Sequence, residues 1–182
     1  MTQVPPHHNH HDRYDRFSIL LHWLMAALLL AELGLGLWMT GLPKDSSGTR
    51  VYWFNLHKSL GMVLGLLIVL RLAWAALRPR LAPIAQSPLM QRLASGNHKL
   101  LYLFMLLAPA TGFLGSVFSG YPIRFFGLRL PQLAERWDAA KQLLSFLHQW
   151  AVYALLVLIA LHVLAFFHHQ FILRDGLLRR MK

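Results

Sequence analysis

The sequence predicts an all-α protein, an integral membrane bundle of four helices. Of its 182 residues, 56% are hydrophobic and 14% are charged, less charge than a water-soluble domain of this size carries. The apolar residues gather into four blocks, each long enough for the roughly 20 residues that cross a hydrocarbon layer of about 30 Å. The net charge of +11 sits mostly in the stretches flanking those blocks, where Lys and Arg meet lipid phosphates and set topology. That placement argues for membrane lipid as the partner and against nucleic acid. The lack of cysteine excludes thiolate metal sites, iron–sulfur clusters and disulfides. The first apolar block starts late and is full length, so no cleavable signal peptide is expected.

Residues 1–15 are polar and contain Pro5-Pro6, the composition of a flexible tail. Its His7, His8, His10 and His11 read as solvated. One domain, 16–182, is expected to follow. Its first span covers about 17–38, with His22 near the start, Glu32 as the only acid inside any span, and Gly34 and Gly36 near the far end. Small residues there let another helix or a flat ligand approach. A loop with Pro43, Ser46, Ser47 and Gly48 has turn chemistry.

The second span covers about 53–77. It opens near His57, and Gly61 and Gly65 follow at four-residue steps on the same face. Arg71, fourteen residues beyond His57, shares that face at the opposite depth. Two readings stand for Arg71: snorkelling to the headgroups, or neutralising a cofactor carboxylate. Residues 78–96, rich in Pro and Arg, read as an exposed connection. The third span, about 98–119, begins at His98. A kink is expected at Pro109, with close packing at Thr111, Gly112 and Gly115. The mixed aromatic, Pro and basic stretch 120–145 suits the membrane interface. The fourth span, about 146–173, carries His148 and His162.

Ten Lys and Arg lie in the tail, the 78–99 connection and the C-terminus, against seven on the other side. Both termini are therefore expected in the cytoplasm. The seven include Lys58, Arg124 and Arg129, and their excess over acids would draw a small anion to the outer surface or touch lipid phosphates.

Depth then sorts the histidines. His148 and His162 are fourteen residues apart, nearly four turns and about 21 Å along one helix face. With alternating span directions, His57 falls level with His148 outside, and His22 level with His162 inside. A six-coordinate haem iron takes two axial ligands from opposite sides, and neutral imidazole serves well. Bundle cores build such sites from facing helices. Two haems are therefore expected, on His57/His148 and His22/His162, with Gly36, Gly61 and Gly65 as clearance for the outer macrocycle. Zinc fits less well, because each pair lacks further ligands. His98 keeps three readings: a ligand in place of His22, a hydrogen-bond partner for a quinone, or a solvated helix end. His168 and His169 read as boundary residues.

The stretches RFSILLHWLMA, NLHKSLG, GNHKLLY and LHQW…ALHVLAFFHHQFILRDGLLRRM resemble the bacterial di-haem cytochrome b561 family, over about residues 14–182. That resemblance implies a bacterial inner membrane, two haem b groups and the same four ligands. Small, free-standing members imply an enzyme, a superoxide:quinone oxidoreductase. Such an enzyme takes electrons from periplasmic superoxide and passes them to ubiquinone. Arg71, Arg78 and His98 are then expected near propionates or quinone, and Lys58, Arg124 and Arg129 near incoming superoxide. The alternative is an electron-transfer module between the quinone pool and a partner redox protein. A third reading is a structural or transport bundle without haem.

Overall fold

A computed structural model describes residues 13–78 and 87–181 of the chain. Its four long helices are α1 (Arg16–Thr40), α2 (Thr49–Leu77), α3 (Pro88–Val117) and α4 (Asp138–Phe167). Each is long and apolar enough to cross a membrane. Outward side chains such as Leu30, Leu66 and Leu164 are more than half exposed, as lipid-facing positions should be. The protein is a membrane four-helix bundle.

Local chemistry starts each helix. Asp15 caps α1, accepting from the Ser18 amide (3.1 Å) and hydroxyl (2.7 Å). Gly48, with φ of 76°, turns the chain into α2. There the Arg50 guanidinium gathers the carbonyls of Met39, Thr40 and Leu42 at the end of α1 and stacks on Phe54. A helix C-terminus leaves carbonyls short of backbone partners; the Met39 carbonyl also accepts from the Leu42 amide, and Leu42 lies just beyond the helix. Ser87 caps α3 through the Met90 amide, and Pro88 takes the first turn, where its missing N–H costs nothing. Asp138 in the first turn of α4 favours the positive end of the helix dipole.

These starts move several expected boundaries. Residues 88–96 are helix, so α3 begins ten residues before the expected span. Ser87-Pro88 is a start signal, and Leu-Met-Gln-Arg-Leu-Ala are good helix formers. Residues 79–86 of that connection lie outside the described residues. The expected interfacial segment 120–145 divides in two. It contains a ribbon of β1 (Arg124–Phe125) paired antiparallel with β2 (Leu128–Arg129), and then the first turns of α4. Most of the expected tail, including its four histidines, lies outside the described residues. Within it, Asp15 is tied to the bundle, also accepting from the Trp74 indole at 3.3 Å.

The helices pack as two antiparallel pairs, α1 with α2 and α3 with α4. Leu29, Leu33, Leu64, Ala108, Ala151 and Leu155 draw all four into one cluster. Along each helix these residues lie between the two histidine levels. Leu21, Met25 and Ile68 form a second cluster. Lipid tails are as apolar as these side chains, so the clusters contribute close packing rather than removal from water.

At the end carrying the termini, α4 runs into a π-helical turn (His168–Leu173) and a 3-10 turn (Leu177–Met181). The latter folds back on α1. The Tyr14 amide donates to the Arg180 carbonyl and the Trp23 indole to the Met181 carbonyl.

Candidate functional site

The bundle holds two facing histidine pairs, one toward the ribbon and one toward the termini. At the ribbon end, His57 on α2 and His148 on α4 have ring centroids 6.2 Å apart. The two helices keep them there by different means. The Nδ1 of His148 donates to the Ala108 carbonyl of α3 at 2.8 Å. With its proton on Nδ1, the ring keeps a lone pair on Nε2. The Nδ1 of His57 lies 2.8 Å from Oε2 of Glu32, at ion-pair distance but outside hydrogen-bond geometry.

Glycines make both arrangements fit. A Cβ at Gly112 would stand 3.0 Å from the His148 ring, and one at Gly36 would stand 3.2 Å from His57. Gly61 faces the Glu32 carboxylate instead. Gly65, expected to clear a macrocycle, meets Pro109 of α3. There it packs α2 against α3, where an added Cβ would stand 3.4 Å from the proline ring.

At the terminal end, the His22 and His162 ring centroids are 6.4 Å apart. Arg71 reaches toward them, with Nη2 3.4 Å from Nδ1 of His22 and Nε 3.2 Å from the Tyr102 hydroxyl. Arginine only donates, so Nδ1 of His22 accepts in this arrangement. His98 stands beside His162, with centroids 5.3 Å apart, and its Nδ1 donates to the Ala94 carbonyl at 2.7 Å. Arg78 is directed elsewhere, stacked on Trp74 at 4.4 Å. His169 pairs with Asp175 beyond the end of α4.

The backbone segments that carry the three basic residues expected near the outer surface are joined by a serine that the sequence did not mark out. Ser59, 1% exposed, accepts from the Phe126 amide (2.9 Å) and reaches the Arg124 carbonyl (3.2 Å). It pins the ribbon to α2 next to Lys58. Arg124 and Arg129 sit directly opposite each other in the ribbon, and both are exposed.

What could the pairs hold? A metal–imidazole bond of roughly 2 Å, plus about 1 Å from ring nitrogen to ring centre, sets two rings on opposite sides of one ion roughly 6 Å apart. Both pairs have that separation. Among the described residues no group of three or more His, Cys, Asp or Glu forms a cage for a bare ion. Two axial imidazoles and no equatorial protein ligand are the donor set of a haem iron. The residues fit the group.

Residues 13–182 match the family model of prokaryotic cytochrome b561. The chain belongs to that family. The cytochrome is 31% identical over 176 residues to "Cytochrome b561 homolog 2" of Escherichia coli (strain K12), covering 93% of this chain and 91% of that one. It is 28% identical over 177 residues to "Probable superoxide oxidase CybB" of Yersinia pestis, covering 94% and 96%. Membership makes this cytochrome a membrane electron-transfer protein with b-type haem.

Proposed function

We propose that this cytochrome b561 is a superoxide:ubiquinone oxidoreductase of a bacterial inner membrane. It holds two haems, one on His57/His148 toward the periplasm and one on His22/His162 toward the cytoplasm. The observation that carries this reading is the pair of ring separations, 6.2 and 6.4 Å, each matching two imidazoles across one iron. When bound, the haems supply the one-electron chemistry that links the two faces of the membrane. Two superoxide ions give up one electron each, and ubiquinone takes both with two protons.

The chain's own part is ligation, steering and quinone binding. Arg124 and Arg129 face each other across the ribbon, an arrangement of like charges that destabilises a strand pair. An arriving anion relieves that repulsion, and Lys58 adds to the positive potential that raises its local concentration. The likeness to a relative named as a probable superoxide oxidase supports superoxide as that anion.

At the terminal end, an imidazole that ligates through Nε2 carries its proton on Nδ1. If His22 held iron through Nε2, it would no longer accept from Arg71, and the guanidinium would be available to an anionic group such as a propionate. His98, its Nδ1 proton committed to Ala94, has Nε2 left to accept from a quinol hydroxyl. Arg78 adds positive charge on the same side. The excess of basic residues around the termini supports a cytoplasmic location for both.

The test is to add superoxide to the oxidised, haem-loaded protein with ubiquinone under anaerobic conditions. Haem reduction near the diffusion limit, with one quinol per two superoxide, is expected. Slow reduction, or reduction without quinol, would overturn the oxidase reading. It would favour an electron carrier serving a partner redox protein.

A further inference from the structure

Glu32 has no part in the mechanism above, yet it is the only acid in the expected spans and is 5% exposed. Burying a carboxylate costs far more than burying a neutral polar group. Its Oε1 has no partner among the described residues, and its Oε2 lies 2.8 Å from Nδ1 of His57. The two helices accommodate this contact reciprocally. On α1, Gly36 follows Glu32 by one turn and faces the His57 ring; on α2, Gly61 follows His57 by one turn and faces the Glu32 carboxylate. Each helix thus sets a polar side chain against the other's glycine. A Cβ at Gly36 would crowd the His57 ring at 3.2 Å, while one at Gly61 would stand 3.7 Å from the Glu32 carboxylate.

The two sides of the ribbon-end pair are therefore chemically unequal. Nδ1 of His148 meets a neutral backbone carbonyl, whereas Nδ1 of His57 meets a carboxylate. At 2.8 Å the contact is at ion-pair distance without hydrogen-bond geometry, so a carboxylate acts on a ligating imidazole there through its charge, which raises the ring's basicity. A more basic axial ligand favours the oxidised metal.

We propose that Glu32 is a positioning residue for His57 that makes the outer haem the low-potential end of the electron path. The inference rests on the reading that His57 and His148 hold that haem. With the Arg71 cation beside His22 at the other end, the anion and the cation set a downhill direction from outside to inside.

The test is a redox titration of both haems in the loaded protein, following each by its spectrum, with His148→Ala to identify the outer haem. Glu32→Gln keeps the size and removes the charge. Expected is about a tenfold rise in the reduced-to-oxidised ratio of the outer haem at fixed potential, about 59 mV for one electron. The inner haem stays unchanged, and Glu32→Asp falls between Glu32→Gln and wild type. Unchanged outer potential with both haems retained would overturn the proposal. Equal shifts of both haems, or loss of both, would also overturn it by marking a general role in folding. Two haems retained in His148→Ala would remove the underlying ligand reading, and the inference with it.

Discussion

Arg71 on α2 and His22 on α1 meet at 3.4 Å, Nη2 to Nδ1, while the same guanidinium reaches the Tyr102 hydroxyl of α3 and the Ser18 carbonyl of α1. One cation thus ties three backbone segments around the terminal-end histidines. A positive charge close to a haem favours the reduced iron, and in a partly buried site it is weakly screened. Arg71→Leu is expected to lower the inner haem's midpoint, on the order of 1 kcal/mol or more. Redox titration with the outer haem as internal reference checks this; an inner midpoint at or above wild type would refute it.

Gly112 leaves no space for a methyl group. Its Cβ would lie 3.0 Å from the His148 ring at Nδ1, the same nitrogen that donates to the Ala108 carbonyl. Gly112→Ala should displace the ring at a packing cost of roughly 1–3 kcal/mol. It should weaken outer-haem retention about tenfold or more. Haem content after dilution reads this directly, and full retention would mean that the ring has room to move.

The histidine ladder and the four spans were legible in the sequence because both rest on spacing. Apolar runs announce a bilayer, and a fourteen-residue step returns a helical side chain to the same face. Pairing by depth then brought His57 to His148 and His22 to His162 with matching separations. The roles of Glu32, Ser59 and Gly112 were not legible, since each depends on which helix lies beside it. Glu32 stood out as an acid, but only the α1–α2 register sets it against His57. The early start of α3 was present in Ser87-Pro88, a cap and first-turn signal outweighed by the surrounding prolines and arginines. The stacking of Arg78 on Trp74 was likewise not legible.

Arg124 and Arg129 should govern the approach of an anion rather than the haems themselves. Exchanging both for Glu is expected to slow haem reduction by superoxide at least about tenfold at low salt. The difference from wild type should shrink as ionic strength rises. Stopped-flow spectroscopy across a salt series checks this, and a rate independent of both charge and salt would refute steering by the ribbon.

Asp15 should matter for stability and not for electron transfer. Its partial burial acts to raise the carboxyl's pKa, but hydrogen bonds from Ser18 and Trp74 and the nearby Arg78 outweigh it and hold it below the ordinary 3.8. A depressed folded-state pKa contributes stability above the unfolded value and loses it as pH falls through the folded one. Asp15→Ala is therefore expected to cost about 1 kcal/mol near neutral pH, as a lost helix cap does. That deficit should narrow below about pH 4. Thermal unfolding in detergent at both pH values decides it; a deficit independent of pH would contradict the assignment.

The central claim is that each histidine pair holds one haem, and counting haem per chain tests it most directly. Wild type should bind two, His148→Ala should keep only the inner one, and His162→Ala should keep only the outer one. A single haem in wild type, or two retained in either variant, would contradict the account.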